Sequence, residues 1–176
     1  MPYLDRRNEL NRLLTQDTIV NLNFTMMLDS ILSLGKSQLG KMLTEQTGLE
    51  ADKTDQAVEV TKDTVGNGLK DELLKGNFGG VMDLFNGNAP TTTSNPIVSS
   101  ITNSLVSNLA SKIGISEGIA QQVANIAIPF VMNKLSSDET GKASNEQELV
   151  EKLGMGGDSG IGGMLKGLGG LGGMFK

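Results

Sequence analysis

The chain has 176 residues, a net charge of −5, 38% hydrophobic and 3% aromatic residues, and neither cysteine nor histidine. That length suits one helical domain with tails and a core of Leu, Ile, Val, Met and Ala. The composition excludes a disulfide framework and thiolate chemistry, removes the usual general base and commonest transition-metal ligand, and disfavours holding a phosphate backbone by bulk charge. No cofactor, no metal and no nucleic-acid partner are expected.

The opening "MPYLDRRNEL" is charged at once and lacks the apolar centre of a secretory signal. No apolar run approaches the length of a membrane span, so the expected compartment is the cytoplasm. Leu4, Leu10, Leu13 and Leu14 suit a short amphipathic helix, and "TIVNLNFT" reads as extended or irregular. Either Met26 or Met27 is the natural start, or residues 1–26 are a separate, non-native appendage.

From Leu28 a helical period is plain, with Leu28, Ile31, Leu32, Gly35, Leu39, Met42 and Leu43 on one face. Gly48 ends that helix as a left-handed residue would. A second helix is predicted from about Asp52, its cap, to Leu74. Its stripe is thin (Ala57, Val60, Thr61, Val65, Leu69, Leu73), and Gly76 stops it. A short piece, "FGGVMDLF", gathers Phe78, Val81, Met82 and Phe85.

"NGNAPTTTSNP" is a linker, because its turn formers and two prolines cannot continue a helix. Asn95 then caps a helix with Pro96 in its first turn. Ile97, Ile101, Leu105, Leu109 and Ile113 follow at four-residue spacing, and Gly114 ends the run. Ser116 caps the next helix, which carries Ile119, Val123, Ile126, Ala127, Phe130, Val131 and Leu135 around an internal Pro129. After the polar "SSDETGKA", Ser144 and Gln147 form a capping-box pattern before a helix from Glu146 to Leu153.

These pieces repeat. Leu39 aligns with Leu105, Leu43 with Leu109, Gly48 with Gly114 and Leu49 with Ile115. After a three-residue gap Ala57 meets Ala120, Val60 meets Val123 and Val65 meets Ile128; Val81 and Phe85 then fall opposite Leu149 and Leu153. The fold class expected is all-α: a bundle over residues 27–153 of two pseudo-repeated helix-turn-helix units (about 27–87 and 95–153), flanked by the arm 1–26 and the tail 154–176.

The turn formed by Leu109, Lys112, Ile113, Gly114 and Ile115 resembles the Leu-x-x-Lys-[Ile/Leu]-Gly-[Ile/Val] turn of the YidB-like bacterial family of unknown function. The helix with a central proline, here Pro129, that leads into Leu135, Ser136 and a polar loop is similar too, as is the short helix before glycine-rich sequence. The resemblance covers about residues 97–156. It implies an all-helical bacterial protein and carries over no catalytic residue.

No motif for enzyme chemistry stands out. The acidic residues Asp138, Glu139, Glu146 and Glu148 lack the ligand order and fixed glycine of a calcium loop. Asp52, Asp55, Glu59, Asp63, Asp71 and Glu72 alternate with Lys53, Lys62 and Lys70, as on a solvated helix face. In "PTTTSNP" no histidine and no Ser-x-x-Lys motif exists to activate a hydroxyl. Pro129 reads first as a kink, and second as the source of a freed carbonyl near Ile126 open to a ligand. The structural positions are therefore Gly48, Gly114 and Pro129, and catalytic and cofactor-binding residues are none.

The tail is nearly half glycine, yet Ile161, Met164, Leu165, Leu168, Leu171, Met174 and Phe175 recur at helical spacing. Each glycine costs a helix roughly 0.8–1 kcal/mol against alanine, so the segment orders only on contact with an apolar surface. Ile161, Leu165, Leu168, Leu171 and Phe175 are the candidate interaction residues. The function expected is a non-enzymatic interaction or self-assembly module with a protein partner or a second copy. The alternatives are a peripheral membrane protein acting through the tail and, further off, a small-ligand binder or enzyme with a pocket near Pro129.

Overall fold

The computed structural model describes residues 26, 29, 30, 33, 35–137 and 142–152, without the side chains of 146, 151 and 152. Every regular element among them is a helix. The tail candidates Ile161, Leu165, Leu168, Leu171 and Phe175 lie outside the described residues, as do Leu28, Ile31, Leu32 and the arm before Met26. Leu28–Lys142 forms one compact unit, and the described residues from Ala143 onward belong to a second.

In the first unit α1 (35–47) leads into α2 (Ala51–Leu74), α3 (Phe78–Phe85), α4 (Pro96–Ile113) and α5 (Glu117–Ser137). Helix ends follow local chemistry. Gly48 and Gly114 take left-handed φ values of 68° and 69°. Their N–H groups donate to Thr44 O and Ala110 O, which satisfies terminal carbonyls without a Cβ penalty. Asn95 Oδ1 accepts from Ile97 N at 2.9 Å and Val98 N at 3.4 Å, with Pro96 next to it where a missing N–H costs nothing. Ser116 Oγ accepts from Ile119 N at 3.4 Å.

α2 and α4 run antiparallel. Lys53 near the start of α2 donates to Ile113 O at the end of α4 (2.9 Å). Asn108 Nδ2 donates to Thr64 Oγ1 (3.0 Å), and Gly68 faces Ile101 near the opposite ends. A Cβ on Gly68 would stand 2.6 Å from Ile101 Cγ1, so glycine sets the spacing of the two helices. The stripe of Ile97, Ile101, Leu105, Leu109 and Ile113 is wholly buried. Leu69, Leu73 and Val65 of α2 and Val123, Val131 and Leu135 of α5 are buried with it.

Several local expectations need correction. α2 starts at Ala51 after Glu50, and no side chain caps it; Asp52 sits inside the first turn, where its charge still suits the helix dipole. Val58 is buried while Val60 is half-buried, and Thr54, Thr61 and Thr64 are buried on the same helix. In α5, Ile126 and Phe130 are half-buried, while Ala120, Ala124, Ala127, Ile128 and Met132 are buried. The helix is apolar on more than one face, so periodicity alone did not select the inner one. Phe130 lies against Gly35 of α1, and Lys134 Nζ stands 5.7 Å from its ring centroid.

In the second unit α6 (Glu146–Lys152) is capped by Asn145, whose Oδ1 accepts from Glu148 N at 2.8 Å. Glu148 Oε2 accepts from Ser144 N, so the box is Asn145 with Glu148, one residue beyond Ser144 and Gln147. Leu149 and Val150 are buried.

Leu109 is fully buried. Leu109→Ala is expected to remove about 2–5 kcal/mol, read from urea midpoints. Gly68→Ala is expected to lower stability by roughly 1–2 kcal/mol although alanine favours helices, because Ile101 is β-branched and stiff so near its backbone. Combined with Ile101→Ala, the Gly68→Ala loss should shrink, and a double-mutant cycle reads that coupling.

Candidate functional site

The linker between α3 and α4 does more than connect. Gly87 turns at a φ of 73°, and the N–H groups of Asn88 and Ala89 both donate to Asp83 O, which closes the end of α3. Asn95 N donates to Thr92 O at 3.0 Å, making a second turn just before α4. Between the turns the three threonines pass along α5, where Thr91 Oγ1 donates to Asn133 Oδ1 at 3.5 Å.

A cleft of about 200 Å³ lies where this linker meets α4 and α5. Thr91, Thr92 and Thr93 form one wall, and Asn125 and Pro129 form the other. Val98, Thr102, Ala124 and Ile128 also line it, and all four are buried. The Thr102 hydroxyl is already spent on Val98 O (2.7 Å), so that part of the lining is aliphatic in effect. Pro129 has no N–H to give the carbonyl of Asn125, one turn earlier in α5. The freed acceptor therefore belongs to Asn125, next to the Ile126 position inferred from sequence. Among the described residues no ionisable side chain lines the cleft.

A second depression of about 420 Å³ lies between α1 and the start of α2, lined in part by Lys36, Lys41, Thr44, Thr54 and Asp55. Of the charges that line it, Lys36 joins an ion-pair network beside the depression. Lys36 Nζ and Lys62 Nζ each stand 2.9 Å from Glu59, and Lys62 also reaches Asp29 at 2.9 Å. Hydrogen bonds from Lys62 and then Lys36 hold the Glu59 carboxyl below its ordinary value. Bonds to Asp29 and then Glu59 raise Lys62 above its own. Thr44 and Thr54 share a 3.2 Å hydrogen bond across the same helix pair. This surface is a brace between α1 and α2.

A third feature is apolar. Leu74, the last residue of α2, is 61% exposed. Across the turn Lys75–Asn77, Phe78 and Met82 lie one helical turn apart on α3, both half-buried, and the space beside Gly79 is open. Among the described residues no three His, Cys, Asp or Glu side chains gather as a metal set, and no helix is long and apolar enough to cross a membrane.

Two features noted separately in the sequence, the threonine run and Pro129, thus meet in one cleft. Asn125 and Leu74 carried no signal: both sit where a periodic reading expects an ordinary surface residue. Neither a family model, nor a curated protein, nor a solved structure matches the chain.

Glu59 tests the brace. Its lowered carboxyl contributes stability above the ordinary glutamate range, and that contribution is lost as pH falls through the lowered value. Glu59→Gln is expected to cost less than about 1 kcal/mol at neutral pH and low salt, because the pair is half-exposed. The urea midpoints of the two proteins should converge as pH falls below the lowered carboxyl value, and in roughly 1 M salt.

Proposed function

We propose that this chain is a non-enzymatic helical interaction module of the YidB-like bacterial kind, and that it self-associates. The observation that carries the reading is the corner where α2 passes into α3: Leu74 is 61% exposed there, and Phe78 and Met82 of α3 are half-buried. A corner of this sort is unfavourable in water and gains by being covered. The sequence of 161–175 adds a second apolar stripe whose glycines make its ordering conditional on contact.

We infer further that two copies of one helical unit make up the described chain. The left-handed glycines at 48 and 114 agree within a degree in φ and receive equivalent carbonyl bonds. The aligned pairs Leu39 and Leu105, Leu43 and Leu109, Leu49 and Ile115, and Ala57 and Ala120 are all buried. The α2–α3 and α5–α6 stretches match as a long helix followed by a short one. The resemblance over about residues 97–156 agrees with this organisation.

Sedimentation of the full chain from micromolar to millimolar concentration tests the proposal. Concentration-dependent association is expected. Burying one leucine contributes about 1.5–3 kcal/mol, so Leu74→Glu should weaken association by about tenfold or more without changing the fold. Removing 154–176 should weaken it too while leaving the melting of the bundle unchanged. A chain that stays monomeric throughout, or association untouched by both changes, overturns the reading.

A further inference from the structure

We propose that the cleft between the threonine linker and Pro129 is a binding site for a small uncharged molecule that bears a hydroxyl group on a branched aliphatic body. The inference is independent of self-association, because the cleft shares no residue with the Leu74 corner.

Size comes first. At about 200 Å³ the cleft is smaller than the range of roughly 300–1,000 Å³ typical of drug-sized ligands. It holds the equivalent of roughly seven waters, enough for a body of a few carbon atoms and a hydroxyl or two. Shape and polarity follow. Val98, Ala124 and Ile128 give an aliphatic floor that rewards displacement of water. In the threonine wall Thr91 donates to Asn133 and Thr92 shares a 2.9 Å bond with Ser94, which leaves the Thr93 hydroxyl to donate. Opposite, Asn125 and Pro129 both line the cleft, and Pro129 has no N–H to give the Asn125 carbonyl, which leaves that acceptor for a ligand O–H. A ligand hydroxyl satisfies both walls, since it donates to the carbonyl and accepts from a threonine.

Charge decides the class. Among the described residues no Lys, Arg, Asp or Glu lines the cleft, so a carboxylate or ammonium entering it loses hydration and meets no counter-charge from them. A neutral ligand is therefore preferred over a charged one of the same shape. Neither Asn125 nor Thr92 is part of the core, and both are exposed at the mouth. They are positions where a large side chain blocks entry without disturbing packing.

The test uses the full chain labelled with nitrogen-15 and titrated with 2-methyl-2,4-pentanediol, and separately with isobutyrate and isobutylamine. Saturable amide shifts confined to the linker threonines and to residues 124–129 are expected for the diol, in the millimolar range. The two charged molecules should bind at least about tenfold more weakly. Asn125→Trp and, as a second blocking variant, Thr92→Phe should abolish the shifts while the helical spectrum and melting are kept. Pro129→Ala restores an N–H to the Asn125 carbonyl, so it should weaken the diol by several-fold even though the variant melts higher. Shifts that never saturate or spread over the surface, equal binding of the charged probes, binding that survives a folded blocking variant, or full affinity in Pro129→Ala would each overturn the proposal.

Discussion

The close antiparallel approach of α2 to α4 is the contact on which the first unit depends. It exists because Gly68 leaves no side chain in front of Ile101, so the two backbones come together there. Leu69, Leu73, Leu105 and Leu109 are then buried completely, at about 1.5–3 kcal/mol each. Away from the glycine, polar groups fix the register. Asn108 meets Thr64 near the middle and Lys53 meets the last carbonyl of α4 at the end. The rest hangs on this pair. α5 folds back along α4 after the left-handed Gly114, and α1 is tied to α2 by Thr44 with Thr54 and by the lysines around Glu59.

Threonine makes that core possible in a chain with few aromatic residues. Thr61 returns its hydroxyl to Ala57 O at 2.7 Å, and Thr102 returns its own to Val98 O at the same distance. Each polar group is satisfied within its own helix, and the methyl remains to pack. Thr54, Thr61, Thr64 and Thr102 are all buried, with no buried side-chain polar atom left unpartnered among the described residues. This is why α2 looked thin as a sequence. The sequence stripe took in Thr61 but not Thr54 or Thr64, positions at which a β-branched alcohol behaves as a hydrophobe.

What the sequence made legible divides along the same physical line. Positions governed by the local chain were readable: the four-residue ladder of α4, the Asn95–Pro96 start, Ser116, and the glycines at 48 and 114. Each follows from backbone donors, acceptors and sterics within a few residues. Positions governed by a distant neighbour were not. Phe130 is half-buried against Gly35 of α1, and on α2 Val58 is buried in place of Val60 beside buried threonines of the same helix. The starts of α2 and α6 fell between these cases, since Asp52 and Ser144 are good caps placed one or two residues from where the helix begins. The linker and the proline were both conspicuous, but their meeting depends on how α4 and α5 pack, which local pattern does not encode.

That meeting gives the unit two faces with different physics. On the α1–α2 side, Asp29, Lys36, Glu59 and Lys62 form a chain of half-exposed ion pairs that salt and acid weaken. Around Pro129, hydroxyls and an amide surround an aliphatic floor, with no titratable group among the described residues. Interactions made by these residues respond little to ionic strength or to pH in the neutral range, because none of them changes charge. A proline in a helix interior costs about 3 kcal/mol in lost hydrogen bonding and steric conflict. Here that loss falls where the threonine linker passes along α5, at the cleft that Pro129 and Asn125 line. The destabilising residue and the wall that shields it are thus parts of one arrangement, and substituting either changes the chemistry presented at the cleft as well as the helix.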